Sequence, residues 1–264
     1  MEAVIRTVSA NDGVNISYSV FDGASPAVVI LHGLAGSSRE FVPTARTLSG
    51  RKVVLIDQRG HGLSTRLPAD TSREAFVGDV VRVIEVEEFD AVDLVGQSMG
   101  AHTAMLVAAA RPDLVRRLVL LEANEGGGLP EDHAALGDFF RSWDVPFTTR
   151  ESASAALGVG PLAQAWVADL QERQDGFYPR FDPDVMVAAV SAVAHPRWEE
   201  WQAVAAPTLV VYADQGMFTE EQKNIFVSRG PNVLRVDLAD ASHDAHLDAF
   251  DQWIVALHNF VNAR

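Results

Sequence analysis

Leu94-Val95-Gly96-Gln97-Ser98-Met99-Gly100 follows an apolar run and precedes an alanine-rich stretch of helical character. In that setting Gly-x-Ser-x-Gly reads as a sharp turn from a strand into a helix. The two glycines stand where the backbone doubles back with neighbouring chain pressed against it, leaving no room for a Cβ. Such a turn lifts the Ser98 hydroxyl out of the sheet and aims the first-turn N–H groups at whatever that hydroxyl attacks. Ser98 is therefore the candidate nucleophile.

Working outward, short Val/Ile/Leu-rich runs recur at Ala27–Leu31, Lys52–Ile56, Ala91–Val95, Arg117–Leu121, Pro207–Tyr212 and Val233–Leu238. Runs of this kind suit parallel strands buried on both faces. Val4–Ala10 and Asn15–Phe21 alternate instead, and Asn11-Asp12-Gly13 between them reads as a hairpin turn. Helical patterns fill the gaps at Ser38–Leu48, Thr71–Glu88, Met99–Ala110, Phe218–Ser228 and Ala245–Ala263. Thr71 or Ser72 caps the second of these, and Pro112 stops the third. The alternation predicts an α/β fold with a doubly wound, mostly parallel sheet, whose ligands bind beyond the carboxyl ends of the strands.

One stretch breaks the alternation. Residues 124 to 203 show no convincing strand and are too long for an ordinary connection. They hold the turn Gly126-Gly127-Gly128 and many aromatics, among them Phe139, Phe140, Trp143, Phe147, Trp166, Phe177, Tyr178, Phe181, Trp198 and Trp201. An inserted helical cap at 124–203 is expected, dividing the core into 1–123 and 204–264. Most of its aromatics should pack the cap itself, and some should line a cleft beneath it.

The composition narrows the function classes. With 264 residues, 48% of them hydrophobic, the chain can bury one large domain. A formal net charge of −15 argues against nucleic acid or an anionic membrane surface as a partner. The sequence lacks cysteine, which rules out disulfides and thiolate chemistry and suits a reducing, cytoplasmic setting. No apolar run is long enough to span a bilayer, and the start of the chain lacks a signal-peptide pattern. Oligomeric state is left open.

Four ordered motifs together resemble the α/β-hydrolase family over nearly the whole chain. His32-Gly33-Leu34-Ala35-Gly36 stands where that family has its oxyanion loop. Asp57-Gln58-Arg59-Gly60-His61-Gly62-Leu63-Ser64 resembles its Asp-x-Arg-Gly-His-Gly-x-Ser turn. Gly96–Gly100 is similar to its nucleophile elbow, and Ser242-His243-Asp244-Ala245-His246-Leu247-Asp248 to its terminal histidine motif. The resemblance implies Ser98 as nucleophile, His243 as base, and the backbone N–H groups of Leu34 and Met99 as oxyanion donors. His32, His61, His102 and His246 read as structural.

The acid is less direct. The family commonly places it after the strand that here ends Tyr212-Ala213-Asp214-Gln215-Gly216, where the usual acid position is Gly216 and Asp214 comes two residues early. Some members instead carry a carboxylate after the preceding strand, which here ends Leu120-Leu121-Glu122. Glu122 is preferred, with Asp214 as the alternative. His243 and His246 have a spacing that could chelate a metal, but no third ligand stands near, so neither metal nor cofactor is expected. The implied activity is hydrolysis of a small to medium hydrophobic carboxylic ester or lactone through an acyl-enzyme. Carbon–carbon bond hydrolysis, thioester hydrolysis, perhydrolysis, lyase chemistry or a ligand receptor on the same scaffold are the alternatives.

Overall fold

The computed structural model describes residues 3–263. Eight strands form one sheet: β1 (Val4–Ser9), β2 (Asn15–Phe21), β3 (Ala24–Leu31), β4 (Arg51–Ile56), β5 (Val92–Gln97), β6 (Val115–Leu121), β9 (Thr208–Gln215) and β10 (Val233–Ser242). Their spatial order is β1-β2-β4-β3-β5-β6-β9-β10. β2 pairs antiparallel with β1 and β4, and every other pairing is parallel.

Every apolar run picked out in the sequence is a strand of this sheet, and the reason is visible in the pleat. Val28, Ile30, Val53, Leu55, Val95, Val119, Leu121, Leu209 and Val211 point to one face, where they meet α1 (Val42–Thr47) and α11 (Phe250–Val261). Val29, Leu31, Val54, Ile56, Leu94, Leu118, Leu120 and Val210 point to the other, where α2 (Arg73–Val86), α3 (Met99–Ala110) and α9 (Glu220–Arg229) cover them. Side chains alternate across a strand, so a segment apolar at every position must be covered twice. Ser72 caps α2 by accepting the Ala75 N–H. Arg111, before Pro112, leaves the helical region and ends α3.

Between β6 and β9 the chain forms α4 (Pro130–Arg141), α5 (Arg150–Leu157), α6 (Pro161–Asp169), the short strands β7 (Gln171–Arg173) and β8 (Gly176–Tyr178), α7 (Pro183–Val193) and α8 (Trp198–Ala203). The β7–β8 pair was not foreseen, because three polar residues in β7 carry no alternation to read. Phe140, Trp143, Phe147, Phe181 and Met186 form a separate apolar cluster that also takes in Ala35 from the loop after β3. Trp166 ties that cluster to the same loop by donating its Nε1–H to the Ala35 carbonyl at 3.1 Å. Trp198 and Trp201 behave differently. Trp201 is fully buried in the core and stacks on Phe226 at 4.2 Å, so these two aromatics of the stretch serve the sheet side.

The Asp57–Ser64 turn is scaffold. Asp57 accepts the N–H of Ser38 at 2.8 Å and of Leu63 at 2.9 Å. Buried Arg59 forms a two-bonded pair with Asp79, at 2.7 Å for each bond, and reaches Asp12 at 2.8 Å. Removing Asp79 would leave a buried guanidinium with the part-exposed Asp12 as its one ion-pair partner among the described residues, besides the Asp70 carbonyl. Asp79→Ala is expected to cost about 3–5 kcal/mol, measured by denaturant unfolding; a loss below about 1 kcal/mol would make the pair a surface-like contact.

The final helical region also departs from a single expected helix. It divides at Ala249, with α10 (Ala245–Asp248) preceding α11, because Ala249 sits at φ −117° and ψ 37°.

Candidate active site

Ser98 links β5 to α3 with φ 53° and ψ −119°, a left-handed backbone that a side chain rarely adopts. The close approaches around it explain the flanking glycines. A Cβ on Gly96 would lie 2.3 Å from the Gly100 carbonyl oxygen, and one on Gly100 would lie 2.4 Å from the His32 carbonyl oxygen. The strain is held by packing on both sides, which is how such turns persist at functional sites.

His243 follows β10 and precedes α10. Its Nε2 lies 2.9 Å from Ser98 Oγ, and its Nδ1 lies 3.1 Å from Glu122 Oε2. The tautomer that suits both partners carries the proton on Nδ1, donating to the carboxylate and leaving Nε2 to accept from the hydroxyl. Gln97, beside Ser98, donates its side-chain N–H to the His243 carbonyl at 3.2 Å and so ties the histidine loop to the elbow. No motif or spacing announces this contact.

Glu122 directly follows β6 at φ 52° and is 1% exposed. Besides His243, its Oε1 accepts the Ala213 N–H at 2.8 Å and its Oε2 accepts the Met217 N–H at 2.9 Å. Burial pushes this carboxyl up, but the hydrogen bonds from His243, Ala213 and Met217 outweigh it and hold the group below the ordinary glutamate range. The carboxylate thus stays ionised beneath the imidazole. Gly216 makes room for it: a Cβ there would lie 2.4 Å from both Glu122 oxygens. The missing acid at 216 and the carboxylate at 122 are therefore one feature, since the first clears the space that the second fills.

Asp214 bonds to backbone and makes no hydrogen bond to the His243 imidazole. It is exposed, and its two oxygens accept the N–H groups of Asp240 and Ala241 at 3.0 Å each. These bonds pull its carboxyl below the usual range. They pin the irregular end of β10, where the register shifts between Leu238 and Ser242, just ahead of His243.

The other sequence candidates fall as follows. Leu34 and Met99 pack together with Phe76 and Ala189, so the loop after β3 lies against the elbow. The Met99 N–H opens α3, where the first N–H groups have no intrahelical acceptor. His32 accepts the Gln58 N–H at Nε2, 3.1 Å away, and its Nδ1 meets the Gly33 carbonyl at 2.7 Å. His61 is buried, and burial, followed by repulsion from His32, pushes its pKa down to about 3. His246 stacks on Phe41 at 4.4 Å and its Nε2 faces Glu40 at 3.3 Å. His243 and His246 therefore serve different partners and do not converge. Among the described residues no three His, Cys, Asp or Glu side chains group as a metal site requires. Nor is any described helix long and apolar enough to cross a membrane.

Known proteins share this architecture. Residues 26–147 match the family description of the alpha/beta hydrolase fold. The sn-1-specific diacylglycerol lipase ABHD11 of Xenopus laevis is 38% identical over 277 residues, covering 98% of this chain and 87% of that protein. The Mus musculus protein of the same name is 28% identical over 265 residues, covering 93% of this chain and 85% of that protein. The crystal structure of E-2-(acetamidomethylene)succinate hydrolase superposes with a TM-score of 0.90 over 99% of this chain and 100% of that one, at 22% identity, a likeness of fold. The sheet, the strained serine turn and the match to a relative above 30% identity over 98% of this chain lead to one conclusion: this chain is a hydrolase of the α/β-hydrolase family.

Proposed function

We propose that the protein is a cofactor-independent serine hydrolase that cleaves a carboxylic ester or lactone of a small to medium hydrophobic substrate. Ser98 attacks the carbonyl carbon while His243 Nε2 takes the hydroxyl proton, and Glu122 holds the imidazolium that forms. The N–H groups of Leu34 and Met99 receive the negative oxygen of the tetrahedral intermediate. The proton on His243 passes to the leaving alcohol, giving an acyl-enzyme. His243 then deprotonates water, which releases the acid and restores Ser98.

The observation that carries this reading is the continuous contact from hydroxyl to imidazole to carboxylate, 2.9 Å and then 3.1 Å. Ester hydrolysis also agrees with the lipase name of the full-length relatives. The 124–203 stretch is proposed as a cap, because its aromatic cluster rests on Ala35, next to the Leu34 donor. A lid of that composition favours apolar acyl or alcohol groups. A panel of neutral esters and lactones of graded chain length tests the substrate class. Turnover that rises with apolar length over short to medium chains is expected; a folded protein that turns over none of the panel contradicts the proposal.

The acid assignment has its own test. Glu122 serves three donors with two acceptor oxygens: the Ala213 and Met217 N–H groups and His243 Nδ1. Glutamine offers one oxygen and a donating amide, so in either orientation the amide faces a backbone N–H, and where it faces His243 it also disfavours the Nδ1–H tautomer. Glu122→Gln is expected to lower kcat by about 10²-fold with the fold kept. Asp214→Asn, which retains one acceptor for the β10 backbone, is expected to stay within about threefold of the parent. Equal losses in the two variants, measured by steady-state kinetics, would remove Glu122 from the acid role.

A further inference from the structure

Arg73 opens α2 and is 1% exposed. Other arginines that reach into the protein meet a carboxylate: Arg59 pairs with Asp79 and Asp12, and Arg51 with Asp93. Arg73 meets none within ion-pair distance among the described residues. Its Nη2 donates to Thr103 Oγ1 and, at 3.4 Å, to the Met99 carbonyl. Its Nε and Nη1 have no partner among the described residues. The guanidinium carbon stands 4.5 Å over the Phe76 ring. Burial, then the nearby Arg197 charge, pulls its pKa down to about 9, which still leaves it positive at neutral pH.

The position of this charge is specific. Met99 and Thr103 lie on the first two turns of α3, directly after Ser98. The residue whose carbonyl Arg73 touches is the one whose N–H is the proposed oxyanion donor. Phe76, under the guanidinium, packs with Met99 and with Leu34, the other proposed donor. The field also reaches along α3. His102, buried between Met99 and Thr103 with neither ring nitrogen bonded to a side chain or backbone partner among the described residues, has its pKa pushed down to about 3 by burial and then by the charges of Arg73 and Arg197. Arg197 is itself paired with Glu74 and Glu200, whereas Arg73 feels the Glu74 charge without forming an ion pair of its own among the described residues.

A buried charge without a counter-ion destabilises a fold, and an apolar side chain of similar volume would remove that cost. Local packing therefore does not account for an arginine here. We propose that Arg73 is a positioning residue for acyl transfer, whose charge behind the elbow is complemented when negative charge develops on the substrate oxygen at Leu34 and Met99. This rests on the Ser98 acyl-transfer reading. Preorganised charge in a low-dielectric site acts on the transition state more than on the bound substrate, so its signature lies in kcat.

The test compares Arg73→Met and Arg73→Lys with the parent and with Ser98→Ala, on one neutral ester, with thermal melting of each. R73M is expected to lose about tenfold in kcat with KM within about twofold, while its melting midpoint rises. R73K, which keeps the charge, is expected to recover most of the lost kcat. A residue needed only for packing predicts the opposite sign: an R73M protein that melts lower, or does not fold, overturns the proposal. R73M with parental kcat overturns it as well, as does R73K no better than R73M. If Ser98→Ala turns over like the parent, the acyl-transfer reading itself fails and the proposal falls with it. If Ser98→Ala is inactive while R73M is fully active, only the role of Arg73 is lost.

Discussion

Ser98→Ala is expected to lower kcat on any ester the protein cleaves by at least about 10³-fold, with little change in melting. The size follows from what the hydroxyl does and what it does not do. It faces His243 Nε2 at 2.9 Å and makes no helix-capping bond to α3. Alanine keeps the Cβ, so the strained turn and the close approach of Gly96 and Gly100 are unchanged. The bonds of the Ser98 backbone, to the Leu121 carbonyl at 2.9 Å and from the His102 N–H at 3.0 Å, also survive. The proposed oxyanion donors are backbone N–H groups that the substitution leaves in place, so a residual rate above the uncatalysed reaction is expected. Steady-state kinetics alongside thermal melting checks both halves. A folded variant with parental kcat would show that another group attacks the carbonyl.

His243→Ala is expected to be nearly as damaging, and the double variant is expected to be scarcely worse than either single one. Among the described residues no other side-chain base bonds the Ser98 hydroxyl. Without the hydroxyl, the imidazole has nothing to deprotonate in the acylation step. Groups that act as one unit give non-additive losses. The loop should survive the change, because its bond from Gln97 uses the His243 backbone carbonyl. His246→Ala is the internal control: its ring faces Glu40 and stacks on Phe41, so the loss there should fall on stability. Two single losses that multiply in the double variant would mean that Ser98 and His243 act separately.

Much of the fold could be read from composition along the chain. Six strands announced themselves as Val/Ile/Leu-rich runs, as strands covered on both faces tend to be, while β1 and β2 showed as alternating segments on either side of a turn. The elbow was legible because steric exclusion permits only glycine at 96 and 100. The choice between Glu122 and Asp214 was harder. β6 and β9 are neighbours in the sheet, so both carboxylates lie on adjoining strand ends. What separates them is the direction of each side chain: Asp214 turns toward the bulged end of β10, while Gly216 opens space for Glu122. The glycine was the one sequence clue to that geometry. Other features left no trace. β7 has too few residues for periodicity, and Trp201 stacks on Phe226 from a helix that follows the aromatic cluster in sequence but belongs to the core in space. Arg73 reads in sequence as an ordinary first-turn helix residue, and only its burial without a carboxylate sets it apart.

The central claim is that one activated hydroxyl on this chain forms a covalent intermediate. The most direct measurement is reaction with a fluorophosphonate, followed by intact mass and peptide mapping. A single adduct is predicted on the peptide that contains Ser98, absent from Ser98→Ala and formed far more slowly by His243→Ala. No adduct on the folded protein, or an adduct that persists in Ser98→Ala, would contradict it.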